Sequence, residues 1–222
     1  EIFWSLLFGV IMALVVPLYS FFILKPKLGV FNAGAIAAAY GSVSAVTFVT
    51  AVSFLEMHAI YYGGHMVAVM ALMEAPSIVV GVLLISLFKK DADAKASCTS
   101  LLRHAMTNGS VILILGSLII GFLASEAQAE GIEPFTTDIF KGFLAVFLLD
   151  MGITSGRKLN SFLEQGWFPL AFALIVPLIN GCLVAVISSV LTTSDGNRLL
   201  FSILAASASY IAVPAAMILA VP

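Results

Sequence analysis

The chain has 222 residues, of which 61% are hydrophobic and only 10% are charged, and its mean hydropathy is +1.13. Soluble domains contain about 25% charged residues, and disordered chains combine low hydrophobicity with high charge, so the composition excludes both classes. The net charge of −2 provides no basic surface for nucleic acid, and the two cysteines predict neither a disulfide framework nor a metal site. A polytopic membrane protein remains.

Seven apolar segments are predicted to cross the membrane, because a hydrocarbon core of about 30 Å requires about 20 apolar residues per helix. In chain order the segments are 2–24, 33–55, 66–88, 109–124, 139–155, 167–191 and 199–221. The longest polar stretch, residues 89–108, follows the third segment. We therefore predict two halves, residues 1–88 and 109–222, joined by this linker.

The placement of lysine and arginine predicts the orientation of the spans. Eight basic residues lie on the membrane side that the first span reaches, and only Lys141 and Arg198 lie on the other side. The richer side is therefore predicted to be cytoplasmic. This orientation puts the linker 89–108 in the cytoplasm and the N-terminal end of the chain outside.

Two short motifs occur in both halves of the chain. VPL at 16–18 in the first span recurs at 176–178 in the sixth, and AAYGSVS at 38–44 in the second span resembles ILAASAS at 203–209 in the seventh. Because the matched spans are five apart, an odd number, the copies cross the membrane in opposite directions, as in the inverted repeats of many secondary transporters. A five-span repeat predicts that two helices before this chain and one after it are missing.

Both matched spans contain small and hydroxyl-bearing residues that favour a helix break at mid-membrane depth. A break exposes N–H groups on one half-helix, which suit an anion, and carbonyls on the other, which suit a cation. Such residues are also common where transmembrane helices simply pack together. The residues predicted to bind a small anion are Gly41, Ser42, Ser44, Ser207, Ala208 and Ser209.

Glu74 lies inside the third span, roughly 14 Å from its outer end at a rise of about 1.5 Å per residue. A carboxylate at that depth is costly and marks a functional site by default. Pro76 frees the carbonyl of Leu72, so a carboxylate, a carbonyl and a hydroxyl such as that of Thr47 predict a Na⁺ site. The alternative is a Glu74 that is protonated or paired with a residue of a missing helix.

Two other polar residues within the spans have weaker functional interpretations. Asp150, seven residues before Arg157, lines the inner mouth of a pathway or is simply hydrated there. Asn180 is predicted to form an interhelical hydrogen bond. No G-x-S-x-G, H-E-x-x-H or P-loop pattern occurs in the sequence. The sequence therefore argues against an enzyme, and Na⁺ is expected as a coupling ion without any cofactor.

Three long segments, GSVSAVTFVTAVSFLE at 41–56, ALMEAPSIVVGVLL at 71–84 and LAASASYIAVPAAM at 204–217, resemble the sodium-dependent bicarbonate transporter family of cyanobacteria and other bacteria. The stretch LLDMGITSGRKL at 148–159 extends the resemblance. It implies an all-α integral membrane fold of two inverted five-helix repeats with two broken core helices. It also implies a core domain and a gate domain, and a homotrimer in the bacterial inner membrane.

In that family, the two broken helices and an acidic residue on a neighbouring helix form the bicarbonate and Na⁺ sites. The broken helices match residues 41–47 and 206–210, and Glu74 occupies the acidic position, where cyanobacterial members have Asp. Tyr210 stands where those members carry a second acid, so the resemblance places it in the ion site with a changed side chain. The resemblance further implies a PII-like cytoplasmic regulator, for which the linker is comparatively short.

These observations favour a Na⁺-coupled symporter of bicarbonate or a similar small anion that works by alternating access. Two alternatives remain at this stage. One is a proton-coupled organic-anion carrier of the same fold, with Glu74 as the proton site. The other is an anion-binding membrane sensor that signals through the cytoplasmic linker.

Overall fold

The structure, a computed structural model, describes residues 1–89 and 109–209. These residues form helices and connecting loops without any strand, which confirms the predicted all-α class. Most of the predicted linker and Tyr210 lie outside the described residues. The elements are α1 Ile2–Gly41, α2 Ala45–Met57, α3 His65–Phe88, α4 Gly109–Leu123, α5 Glu126–Glu133, a π-helix Pro134–Ile139, α6 Phe140–Glu164, α7 Trp167–Ser188 and α8 Asp195–Ala206.

Four helical segments among the described residues are long and apolar enough to cross a membrane: Ile2–Met57, His65–Phe88, Glu126–Asn160 and Trp167–Ser188. The first of them combines α1 and α2 across a break. A helix occurs at the position of each of the first six predicted spans, and α8 covers the beginning of the seventh up to Ala206, while the number of seven crossings stays a prediction. The chain is a multi-pass membrane protein.

Two helices extend beyond the ends of the predicted spans. α1 continues past Lys25 and bends at Gly29. The φ of Gly29 is 77°, a positive value that glycine adopts readily because it has no Cβ. The ammonium of Lys25 lies 3.5 Å from the centroid of the Phe88 ring, and this cation–π contact holds the charged turn of α1 against α3. α6 likewise continues past Arg157 to Glu164. Charged residues mark where a chain leaves hydrocarbon, and a helix can continue into water.

The described residues of Glu1–Leu118 and Pro177–Pro222 form one compact unit, in which α1 packs along α3. Glycines bring the two backbones close together. A methyl group on Gly34 would overlap Ile85, and a methyl group on Gly81 would lie 2.6 Å from Ala38 Cβ and 2.9 Å from the Gly34 carbonyl oxygen. Such small-residue contacts are typical of transmembrane helix pairs.

The apolar core of this unit joins α2 and α8 to α1 and α3. Aromatic and aliphatic side chains from all four helices are buried in it, and Phe8 and Phe201 stack edge to face at 5.4 Å. The core lies beside the ends of α1 and α8 and therefore supports both of them. Its largest fully buried members are Leu55, Met66, Met73, Val69, Leu200, Phe201 and Leu204.

The loop between α2 and α3 is hydrogen-bonded to the start of α8. The N–H of Gly63 donates to Asn197 Oδ1 at 2.7 Å, and Ser194 Oγ donates to the Tyr61 carbonyl at 3.1 Å. Asn197 is buried, and its amide nitrogen also reaches Thr192 Oγ1 at 3.5 Å. These bonds fix the beginning of α8 relative to the connection that follows α2.

The second unit, Ile119–Val176, contains α5, the π-helix and α6. α5 begins after Ser125, whose N–H donates to Gln128 Oε1 at 2.9 Å, one half of a capping box. α6 exposes Phe143, Val146 and Leu149, and lipid chains would cover such side chains in a membrane.

Tyr62 provides a test of the α2–α3 loop. Its hydroxyl donates to Glu56 Oε1 at 3.0 Å. Burial raises the pKa of Tyr62 above its ordinary value, and the hydrogen bond and charge of Glu56 raise this pKa further. Because the pKa is higher in the folded state, the neutral phenol stabilises the fold below about pH 10, and this contribution is lost as pH rises through the raised pKa.

Ultraviolet titration of phenolate absorbance, with Tyr62→Phe as the reference for the other tyrosines, measures this pKa. We expect Glu56→Gln to lower it towards the ordinary tyrosine value. A Tyr62 titration that is the same in the wild type and in Glu56→Gln would contradict the contact.

Candidate functional site

The first helix break lies between α1 and α2, where the small residues predicted it. α1 ends at Gly41 and α2 begins at Ala45, with Ser42 extended at φ −78° and ψ 173°. Ser44 caps α2, because its hydroxyl accepts the N–H of Thr47 at 3.2 Å. Serine is among the preferred residues at this capping position, so the sequence itself ends one helix and starts the next.

The end of α8 has the same local geometry. α8 ends at Ala206, and Ser207 is extended at φ −90° and ψ 161°. The Ser207 hydroxyl donates to the Leu204 carbonyl at 3.0 Å, which gives an acceptor at the helix end a partner. Ser42 and Ser207 are thus the first extended residues after two helices, as the alignment of 38–44 with 203–209 predicts.

The structure brings the two extended segments, 42–44 and 207–209, into direct contact. We call them the paired breaks. The N–H of Ser44 donates to Ser207 Oγ at 3.2 Å, and the N–H of Ser209 donates to the carbonyl of Ala39 at 2.8 Å. Ser42, Ser207 and Ser209 are buried, whereas Ala208 is exposed. Two segments that are far apart in the sequence therefore share one polar cluster inside an apolar unit.

The Ser42 hydroxyl is the unusual group of this cluster. Ser42 is 0% exposed, and within the described part of the chain its hydroxyl oxygen has no hydrogen-bond partner. A buried hydroxyl without a partner costs free energy. It adjoins the start of α2, where the first N–H groups of a helix have no acceptor inside the helix and the helix dipole favours negative charge.

α3 supplies the third side of the site. Ser77 is fully buried and its hydroxyl donates to the Ala38 carbonyl at 2.7 Å, which fixes α3 to the last turn of α1. Glu74 lies on the same face of α3, one turn earlier, and is only 3% exposed. Among the described residues it forms no hydrogen bond or ion pair. A buried carboxylate of this kind needs a cation or a proton.

The remaining predicted site residues are exposed or lie outside the described residues. Thr47 lies in the first turn of α2 and its side chain is exposed, while Asp150 lies on α6 of the second unit and is also exposed. Tyr210 is outside the described residues. Where the structure describes the chain, no three His, Cys, Asp or Glu side chains are grouped so that they could hold a metal ion. The ion-binding roles of these residues stay predictions.

The sequence analysis did not identify Ser77 or Tyr19. The spacing of three residues from Glu74 places Ser77 on the same helical face, and that spacing was the available signal. The Tyr19 hydroxyl donates to Asn180 Oδ1 at 2.7 Å, which confirms the predicted interhelical hydrogen bond of Asn180. Nothing in the local sequence of α1 identifies Tyr19 as the hydrogen-bond partner of Asn180 on α7.

Comparison with known protein families identifies a family that matches the chain. A family model described as the Na⁺-dependent bicarbonate transporter superfamily matches residues 1–222. The matched range includes both extended segments, Glu74 and the whole of the described structure. A search of individually curated proteins found no match.

The close packing at the first break predicts the effect of an added methyl group at Gly41. A Cβ atom there would overlap the Pro17 ring and lie 2.6 Å from Ser77 Oγ, and such overpacking costs about 1–3 kcal/mol. Gly41→Ala should therefore lower the thermal unfolding temperature in detergent. Gly152→Ala is the matched control, since it makes the same change inside α6 with no heavy atom within 4 Å. Equal unfolding temperatures for the two variants would contradict the packing.

Proposed function

The chain belongs to the Na⁺-dependent bicarbonate transporter superfamily, and we propose that it acts as a secondary active transporter that couples bicarbonate movement to Na⁺ by alternating access. A similar small anion is the alternative substrate. The single observation that carries the proposal is the contact between the paired breaks around the buried hydroxyl of Ser42, which has no hydrogen-bond partner among the described residues.

The paired breaks have the chemistry of a site for a small monovalent anion. Hydroxyl groups and backbone N–H groups are neutral donors, and donors of this kind hold an anion without burying an opposite charge. The helix dipole at the start of α2 adds attraction. We assign the anion site to Gly41, Ser42, Ser44, Ser207, Ala208 and Ser209.

Glu74 is the proposed ligand for the coupling ion. Its carboxylate is buried in α3 one turn from Ser77, which contacts the end of α1. Bound Na⁺ would neutralise a charge that is otherwise costly inside the membrane. Thr47, Tyr210 and Asp150 are further proposed contributors to the ion pathway. With the cation near the anion site, each ion would offset the charge of the other.

The family and the repeated motifs also support finer proposals about the assembly. We propose inverted five-helix repeats, a homotrimer in the bacterial inner membrane and a cytoplasmic linker at 89–108 that faces a PII-like regulator. The aligned conformations of Ser42 and Ser207 support the repeat. An inverted repeat would place the two breaks on a pseudo-two-fold axis near mid-membrane depth.

Transport measurements test the proposal directly. The full-length protein is reconstituted in proteoliposomes, and uptake of radiolabelled bicarbonate is measured with and without an inward Na⁺ gradient at fixed pH and membrane potential. We expect gradient-dependent uptake that falls at least about tenfold in Glu74→Gln, since the neutral amide removes the charged partner of Na⁺. Glu130→Gln is the control, because Glu130 is exposed on α5 and its neutralisation should leave uptake unchanged.

Three outcomes would contradict the proposal. Wild-type protein that takes up no bicarbonate with or without the Na⁺ gradient would remove bicarbonate as the substrate. Uptake that does not depend on Na⁺, and whose dependence on pH is lost in Glu74→Gln when uptake is measured at several pH values, would indicate a proton-coupled carrier. Anion-dependent binding of a cytosolic partner without flux would indicate a sensor.

A further inference from the structure

The paired breaks are equivalent in sequence and in backbone conformation. The alignment of 38–44 with 203–209 pairs Ala39 with Leu204, and it pairs Ser42 with Ser207. The two serines each follow the last residue of a helix and have nearly the same φ and ψ. If the local sequence alone determined the hydrogen bonds, both breaks would have the same pattern.

The hydrogen bonds of the two breaks nevertheless differ. At the second break, Ser207 Oγ donates to the Leu204 carbonyl and accepts the N–H of Ser44. The matching bonds at the first break would have Ser42 Oγ donate to the Ala39 carbonyl and accept the N–H of Ser209. Instead, the N–H of Ser209 reaches the Ala39 carbonyl directly at 2.8 Å.

This difference leaves one serine hydroxyl in use and the other free. Ser207 links the two breaks as both donor and acceptor. Ser42 is fully buried and its hydroxyl has no partner in the part of the chain that the structure describes. The Ser44 hydroxyl has a different role, because its oxygen caps α2 by accepting the N–H of Thr47.

The alignment defines a reciprocal arrangement of the same groups with the roles of the breaks exchanged. In it, the N–H of Ser209 would donate to Ser42 Oγ, which in turn would donate to the Ala39 carbonyl. The N–H of Ser44 would then donate directly to the Leu204 carbonyl. The observed arrangement has three such hydrogen bonds and the reciprocal one would have three of the same chemical types, so neither would gain a bond over the other. Two arrangements of similar free energy are what a two-state element requires.

We propose that Ser42 and Ser207 alternate as the hydroxyl ligand of the transported anion. In the arrangement observed here, Ser42 is free to donate to the anion, and in the reciprocal arrangement Ser207 is free. The exchange transfers the anion from one break to the other as the transporter opens to opposite membrane faces. This inference rests on the proposed function and adds to it which serine binds the anion in each state.

Face-specific transport kinetics test the exchange. The half-saturating bicarbonate concentration is measured for influx and for efflux in proteoliposomes of the full-length protein under matched Na⁺ conditions. Loss of one hydroxyl donor to an anion should raise this value about tenfold. We expect Ser42→Ala to raise it at one membrane face only and Ser207→Ala to raise it at the opposite face only.

Two further pairs of variants separate ligand loss from misfolding. Ser42→Thr and Ser207→Thr keep the hydroxyl and should restore wild-type affinity at both faces. Ser42→Cys and Ser207→Cys fill the same space with a weaker donor and should show the same face-specific pattern with a smaller change. A merely structural role of either serine would alter the maximal rate and the unfolding temperature without a difference between faces.

The outcomes distinguish this inference from the proposed function. A wild-type protein without Na⁺-dependent uptake would overturn both. Wild-type transport combined with alanine variants that weaken the same face, that weaken both faces equally, or that change neither face would overturn the exchange alone.

Discussion

A membrane interior provides no water to satisfy backbone N–H and carbonyl groups, and the architecture of this protein depends on that constraint. A helix can break at such a depth only where other protein groups replace the lost hydrogen bonds. Here the replacement is mutual. The Ser209 N–H donates to the Ala39 carbonyl, and the Ser44 N–H donates to the Ser207 hydroxyl oxygen. The breaks therefore depend on each other, although the whole middle of the chain separates them.

This mutual dependence explains why the surrounding packing is so close. Pro17 and Ser77 leave no room for a side chain on Gly41, so the end of α1 is closely packed. Asn197 holds the beginning of α8 to the α2–α3 loop, and buried residues such as Phe201 and Leu204 support its length. Positions fixed at both ends allow hydrogen bonds across the breaks to form with ordinary geometry.

The sequence predicted the positions of the helices well and their partners poorly. Apolar runs located the spans, and Gly41 and Ser44 located the first break, because these signals are local. The charged turn at Lys25 does not end α1, as its ring partner Phe88 on another helix holds it in place, so the predicted end of the first span is not the end of the helix. The bond from Ser77 to Ala38 and the unequal states of Ser42 and Ser207 depend on tertiary contacts. Two equal serine motifs cannot reveal which of them will be left without a partner.

The glycine contact between α1 and α3 has a mechanical consequence. Where Gly34 and Gly81 meet, the helices touch through backbone atoms, and such a contact cannot compress or slide without a clash. We therefore expect the last turn of α1 and the segment of α3 that carries Glu74 to move together. The distance between an anion bound at the breaks and a cation bound at Glu74 would then stay constant. Moving one ion without the other would therefore leave its charge uncompensated.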